Sequence, residues 1–407
     1  MSIVSMYVAN NLNAPADNTT TRFLSVIDLH ESVFGTTEYK RAINVLPENT
    51  IAGRTKFLIN ESPGIGASWK FTLQKNSANT GSVVTISGND TAGTDDSHEI
   101  HYLQGDLINY EVEPSGNPAT FSQCHYGILF SASNAIIINN TGYSSSFPTA
   151  THFPECIGRS FNNTTFGGGE DLAGNLCPVN GDIFNFHIQI NRSSGSTETF
   201  TFRKNSVDFG PEFAFTGANL ILTDTTNIFA VSTGDKLNWR NPLQLGSFVQ
   251  FAWMSFSYAP ATPGVFPVIG GHSTISAAQG EDYWGWLLQP HATTSVNSGD
   301  FQNLTYPMTI DNFYVNTEST DVGTAGMIDF KIAKNNSASA FSIRIASDLN
   351  ANSDLTNSLD FAEGDSLMLY KDLSGIIDNI QTVSLAYVAS YNGVRFPSGF
   401  GDWLVMF

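Results

Sequence analysis

The chain is 407 residues long and strongly acidic, with 37 Asp and Glu against 18 Lys and Arg and a formal net charge of −19. A nucleic-acid partner held through its phosphates needs a basic surface, so that class is excluded, and no apolar run reaches the ~18 residues a membrane-crossing helix requires. Charged residues are only 14% of the chain while aromatics reach 12%, with 30 Phe and 35 Gly, which points to packed β-structure with polar, uncharged loops rather than helices or disorder.

Taken in order, the first 51 residues carry short strands around Phe23–Leu29 and Ile43–Leu46. The opening stretch shows neither a basic region nor a useful apolar core, so no secretory signal is expected. Lys56–Ile59, the Gly-rich turn Ser62–Ser68 and Trp69–Leu73 read as a hairpin. Val83–Ile86 follows, and the polar stretch Gly88–Asp96 is expected to be a loop. Strands at Ile100–Leu103, Leu107–Val112 and His125–Phe130 come next. Further on, Phe184, Phe186, Ile188 and Ile190 alternate with Asn185, His187 and Gln189, the two-residue period of a half-buried strand. Phe200 and Phe202 mark its partner, followed by strands at Ile228–Val231, Leu237–Trp239 and Phe248–Phe256. The last third has Ile310–Val315, a long turn at Asn316–Gly326, then Ile328–Ile332, Phe341–Ile345, Leu367–Tyr370 and Val383–Val388. No capped 3.6-period run appears, so helix content is expected to be low.

One unit recurs three times. It opens on Lys-Asn at the end of an alternating run (Lys75-Asn76, Lys204-Asn205, Lys334-Asn335). It closes on Gly-Asp before another (Gly105-Asp106, Gly234-Asp235, Gly364-Asp365). The Lys-to-Gly spacing is 30 residues in every copy, and the copies lie 129 and 130 residues apart. Two dipeptides at one spacing inside similar apolar patterns imply three tandem modules of ordinary domain size. Asn tolerates a left-handed turn, Gly permits a tight turn or bulge, and Asp bonds the amides of its own turn. Turn chemistry is therefore the leading reading of both dipeptides, and a ligand role for the three aspartates is the alternative. Phe71, Phe200 and Phe330 are expected at equivalent inward positions.

The run of strand, Gly-rich turn, Phe-Thr-Phe/Leu-x-Lys-Asn and then Gly-Asp-x-Leu resembles tumour-necrosis-factor-like jelly-roll modules of bacteriophage and large DNA virus structural and appendage proteins. The resemblance spans all three modules and implies an all-β chain of three tandem jelly-roll β-sandwich modules, at residues 1–135, 136–262 and 263–393. An immunoglobulin sandwich is the alternative, but its Cys-Trp-Cys core is missing. Three such modules in one chain suit a pseudo-threefold arrangement. Phe396-Pro397 echoes Phe266-Pro267 at a distance of 130 residues, so residues 394–407 read as a C-terminal strand extension. Its apolar residues Trp403, Leu404, Val405 and Phe407 are the candidate assembly strand, because an apolar strand needs a sheet edge.

The candidates for chemistry are few. His98 and His101 in HEIH have a metal-like spacing, but a strand does not put both rings on one face and no third ligand is apparent. Asp348, Asn350, Asn352 and Asp354 alternate oxygen donors like the start of a calcium loop, yet the sixth position lacks Gly and Leu359 stands where the closing Glu belongs. Tyr283, Trp284 and Trp286 form an aromatic cluster suited to sugar stacking or partner docking, or to filling a core. Cys124, Cys156 and Cys177 are expected to be buried thiols, with a Cys156–Cys177 pair as the alternative. No nucleophile elbow, phosphate loop or carboxylate pair stands out, so no catalytic residue, cofactor or metal is assigned and the chain is not expected to be an enzyme.

The resemblance implies a non-enzymatic virion structural protein: a minor capsid, decoration, vertex or tail-appendage component. It would be assembled in a host cytoplasm, with other virion proteins and further copies of the chain as partners. A lectin-like adhesin recognising glycans through the aromatic cluster is the alternative.

Overall fold

The computed structural model describes residues 3–11, 17–24, 26, 44–122, 124–132, 136–143, 175–192, 197–216, 220–242, 249–262, 265–272, 280–285, 302–304, 306–318, 327–335, 337–346, 351–374 and 382–391. Among them the regular elements are all β-strands. Residues 392–407, and with them Trp403, Leu404, Val405 and Phe407, lie outside the described residues, as do Trp286 and Cys156.

Strand pairing closes within three successive blocks. The first holds β1 (Ile3–Asn11), β2 (Arg22–Leu24), β3 (Asn44–Val45), β4 (Thr50–Ile59), β5 (Gly64–Lys75), β6 (Ala78–Gly88), β7 (Ala92–Tyr102), β8 (Leu107–Ser115) and β9 (Cys124–Ala132). Its sheets run β1-β9-β4-β7 and β2-β8-β5-β6, with β3 also on β8. The second block holds β10 (Ile136–Tyr143), β11 (Asn175–Leu176), β12 (Gly181–Arg192), β13 (Thr197–Lys204), β14 (Val207–Thr216), β15 (Leu220–Val231), β16 (Lys236–Arg240) and β17 (Val249–Pro260). Its sheets run β10-β17-β12-β15 and β11-β16-β13-β14. The third holds β18 (Phe266–His272), β19 (Gly280–Gly285), β20 (Gln302–Asn303), β21 (Met308–Glu318), β22 (Met327–Lys334), β23 (Ser337–Ala346), β24 (Ala351–Phe361), β25 (Ser366–Ser374) and β26 (Thr382–Tyr391). Its sheets run β18-β26-β21-β24 and β19-β25-β22-β23, with β20 on β25. The pairings are antiparallel; the order of the first sheet is the same three times, and in the second sheet β8-β5-β6 recurs as β16-β13-β14 and β25-β22-β23, with no counterpart of β2 and β19 on β16 among the described residues.

The alternation read in the sequence is what sorts side chains between core and solvent. In the first block Phe57 of one sheet stacks on Phe71 of the other with centroids 4.0 Å apart, flanked by Tyr110 at 5.0 Å and Tyr126 at 5.3 Å. In the second, Phe186 meets Phe202 at 5.0 Å and Phe256 at 5.6 Å. In the third, Phe313 and Phe341 lie 5.7 Å apart across the sheets. Phe71, Phe200 and Phe330 are all fully buried. Each lies on the strand flanked by the hairpin partner on one side and the post-Gly-Asp strand on the other.

A further regularity sits in β4, β12 and β21. Each shifts register at one residue with positive φ: Arg54 (52°), Asn185 (53°) and Asn312 (50°). Such a bulge turns the strand and re-aims the side chains after it. Two residues further on stand Lys56, His187 and Tyr314.

Four stretches read as turn or loop are strand in part, Gly64–Ser68 in β5 and Asn316–Glu318 in β21 among them, and β4 and β5, read as a hairpin, lie in different sheets. Residues 92–96 of the expected polar loop belong to β7, leaving a short turn at 89–91, and Asp354 lies within β24. β7 and β24 are the outer strands of their sheets, most of their residues are exposed, and hydrophobic alternation is lost there. The long N-terminal strand β1 was not anticipated, because Ile3–Asn11 alternates only weakly.

Candidate functional site

The repeated unit is a clamp, built identically in each block. Lys75 and Ala78 pair across a two-residue hairpin turn in which Asn76 and Ser77 take φ of 51° and 64°, and Asn205 and Ser206 do the same at 52° and 64°. Asn335 follows at 50°. A turn with left-handed backbone matches the twist of the strands it joins, and Asn tolerates it better than most residues. This geometry aims the Asn side chain at the Gly-Asp turn. Asn76 Nδ2 donates to Asp106 Oδ1 at 2.7 Å, and Asn76 Oδ1 accepts from the Leu107 amide at 2.8 Å. The second clamp repeats both bonds at 2.7 and 2.8 Å, and the third at 2.6 and 2.8 Å.

The other carboxylate oxygen closes its own turn. Asp106 Oδ2 accepts from the Leu103 amide, Asp235 Oδ2 from Ser232 and Asp365 Oδ2 from Ala362, all at 2.7 Å. The lysine completes the clamp: Nζ of Lys75, Lys204 and Lys334 stands 3.0, 3.7 and 2.8 Å from that oxygen. Partial burial alone would raise the Asp106 and Asp365 carboxyls, but these donors and the lysine charge outweigh it and hold both below the usual carboxylate range. Gly105, Gly234 and Gly364 sit at φ of 85°, 88° and 86°, where an L side chain is strained although the space beside each is open. The aspartates thus spend their oxygens on protein donors, which settles their role as turn and clamp chemistry.

The same turn straps a third segment. Leu46 donates to the Asp106 carbonyl and accepts from the Gly105 amide at 2.9 and 2.8 Å; Cys177 does so with Asp235 and Gly234, and Leu304 with Asp365 and Gly364. These strapped segments touch the next block. β3 lies against β10 and β17, β11 against β18 and β26, and β20 against β1. The contacts therefore run from first block to second, second to third and third back to first. At the last of these, Lys56 Nζ pairs with Glu363 Oε1 at 2.5 Å and stands 5.0 Å over the Tyr306 ring. At the first, His187 lies by the Pro47 carbonyl, and its buried ring is pushed down to about 4 by desolvation. Glu48, beside Pro47, is buried as well and is pushed up to about 7 for the same reason.

A second repeated device escaped the sequence reading. Asp95-x-Ser97-His98, Asp224-x-Thr226-Asn227 and Asp354-x-Thr356-Asn357 recur at the same 129- and 130-residue steps as the clamp. Each aspartate accepts from the amides two and three residues on and from both side chains there. Burial would raise these carboxyls, but the bonds lower them instead. Of the residues spaced like the start of a calcium loop, Asp354 is taken up by its own turn, and Asp348 and Asn350 lie outside the described residues. His98 is tied to Asp95 at 2.9 Å, so it closes a turn in β7. No group of three potential metal ligands gathers among the described residues.

Cys124 and Cys177 are buried free thiols whose pKa is raised by burial; Cys156 lies outside the described residues. Tyr283 and Trp284 fall on β19, where their backbones pair with Tyr370 and Leu369; Trp286 lies outside the described residues. No helix among the described residues is long and apolar enough to cross a membrane.

No protein-family model and no curated protein matches the chain. Among solved structures it is similar to a chain described under "The Triple Jelly Roll Fold and Turret Assembly in an Archaeal Virus", at 11% identity over 93% of this chain and 89% of that one, with a TM-score of 0.18. A likeness at that score carries no argument about this chain.

Proposed function

We propose that the chain is a non-enzymatic structural component of a virion, a minor capsid, decoration, vertex or tail-appendage protein, made of three jelly rolls around a pseudo-threefold axis. The observation that carries this reading is the clamp, repeated three times, whose strapped segment passes a contact from block to block until the cycle closes. A two-sheet sandwich whose first sheet has one strand order in all three blocks suits the jelly roll, and a head-to-tail contact that closes after three steps suits a threefold platform. The likeness of the Lys-Asn and Gly-Asp pattern to viral jelly-roll modules supplies the virion setting. Other virion proteins and further copies of the chain are the partners this reading requires.

The test is quantitative mass spectrometry and immunogold labelling of density-purified particles from the source. The chain at constant stoichiometry and at one position on the particle is the expected result. Recovery only in the soluble fraction would count against the proposal. A glycan array run in parallel addresses the adhesin alternative: saturable binding lost in Trp286→Ala would replace the structural reading.

A further inference from the structure

We infer that the contact between the third and first blocks is a seam that opens, and that when open it docks a second copy of this chain, third block to first and first block to third. The inference concerns the chain's own block contacts and stands whether or not the virion setting is right.

Three contacts of one kind link the blocks, but they are not equally tethered. The first and second blocks are joined through residues 133–135, and the second and third through residues 261–265. No peptide joins the third block to the first. A head-to-tail contact between like units closes within one chain or forms between chains with the same groups on either side, so exchange between copies leaves the number of contacts unchanged. The tethered contacts remain at high effective concentration when broken; the seam depends on the geometry of the other two.

The chemistry of the seam also differs. The position two residues beyond the strand bulge faces the neighbouring block at two of the three contacts. At the first-to-second contact it is His187, neutral at pH 7 because burial lowers it to about 4. At the seam it is Lys56, whose side chain is only 13% exposed and meets the Glu363 carboxylate and the face of Tyr306. Tyr314 holds the same position in the third block. A charged pair confers partner specificity and salt sensitivity where a covalent tether is missing. Glu363 precedes the clamp Gly364-Asp365, and Leu304, strapped to that turn, leads to Tyr306. The seam's acidic and aromatic groups are therefore held rigidly by one clamp and are presented as a unit to any first block within reach.

The test is charge-swap complementation on the full chain. Lys56→Glu and Glu363→Lys variants are purified separately and mixed, then sized by native mass spectrometry and light scattering. Each variant faces a like charge at its own seam, whereas the mixture offers matched pairs at both seams between chains. The expected result is a 1:1 heterodimer of twice the 44.1 kDa chain mass, dissociating as salt is raised, with the Lys56→Glu/Glu363→Lys double variant reverting to monomer. A mixture that stays monomeric overturns the inference. Should either single variant fail to fold, native mass spectrometry of the wild-type chain over a rising concentration series decides: a dimer fraction that grows with concentration is expected, and a chain that stays monomeric throughout overturns the inference.

Discussion

Replacing Asn76 by alanine tests the clamp at its centre. The substitution removes the bond to the Asp106 carboxylate and the bond from the Leu107 amide, at 2.7 and 2.8 Å. It also places alanine at φ 51°. Both bonds lie at an exposed site, so each is worth about 0.5–1 kcal/mol, the lower part of the usual range. Holding alanine in the left-handed region costs a further ~1 kcal/mol. The loss should be about 2–3 kcal/mol for Asn76→Ala. Asn76→Gly, which suits the left-handed turn but cannot make the bonds, should lose only about 1–2 kcal/mol. Urea unfolding followed by tryptophan fluorescence reads the loss, Trp69 of the first block being one of the chain's 6 tryptophans and fully buried. The ordering wild type, then glycine, then alanine is the signature. If both variants unfold with the wild-type midpoint, the clamp contributes nothing and the account of the 30-residue spacing fails.

Further outcomes are expected at other sites. Gly234→Ala meets open space but keeps φ at 88°, so it should lose about 1–2 kcal/mol from backbone strain alone, read as a lowered urea midpoint. Phe71→Ala and Phe200→Ala, both at buried sites, should each lose roughly 3–5 kcal/mol, read in the same way. Acid should unfold the chain. Asp106, Asp365, Asp95 and Asp354 are depressed in the folded state, so the stability they supply is present above their unfolded values and lost as pH falls. His125 and His187, lowered from 6.5 to about 4, act in the same direction: they disfavour the folded state progressively as pH falls through that window. Glu48 works the other way. Its carboxyl is raised from 4.5 to about 7, so its contribution is present below the lower value and lost as pH rises through the upper one. Glu48→Gln should therefore stabilise the chain at about pH 8, by an amount on the order of 3 kcal/mol, and change little at about pH 4.5; thermal melts at both pH values check this.

Strand type, turn chemistry and the threefold repeat were legible in the sequence because each depends on residues near one another in the chain. Alternation around Phe184–Ile190 marks a half-buried strand wherever it occurs, and Asn76, Asn205 and Gly105 declare left-handed turns through their own backbone preferences. The 30-residue spacing was visible too, but its cause was not. It arises because two turns, one on each side of a sheet crossover, meet and share the Asn–Asp bond, and no local signal carries such a pairing. The Asp-x-Ser/Thr-Asn/His turns were lost for a related reason: in a chain rich in Asn, Ser, Thr and Asp, a buried aspartate that has satisfied its oxygens looks like a polar loop until its partners are seen. Tertiary structure alone decided that the strapped residues Leu46, Cys177 and Leu304 share one place and that the contacts they lead to run round a closed cycle. Their side chains, two leucines and a cysteine, are all buried but do not mark the place in the sequence. What places them is a pair of backbone hydrogen bonds, which every amino acid except proline can make.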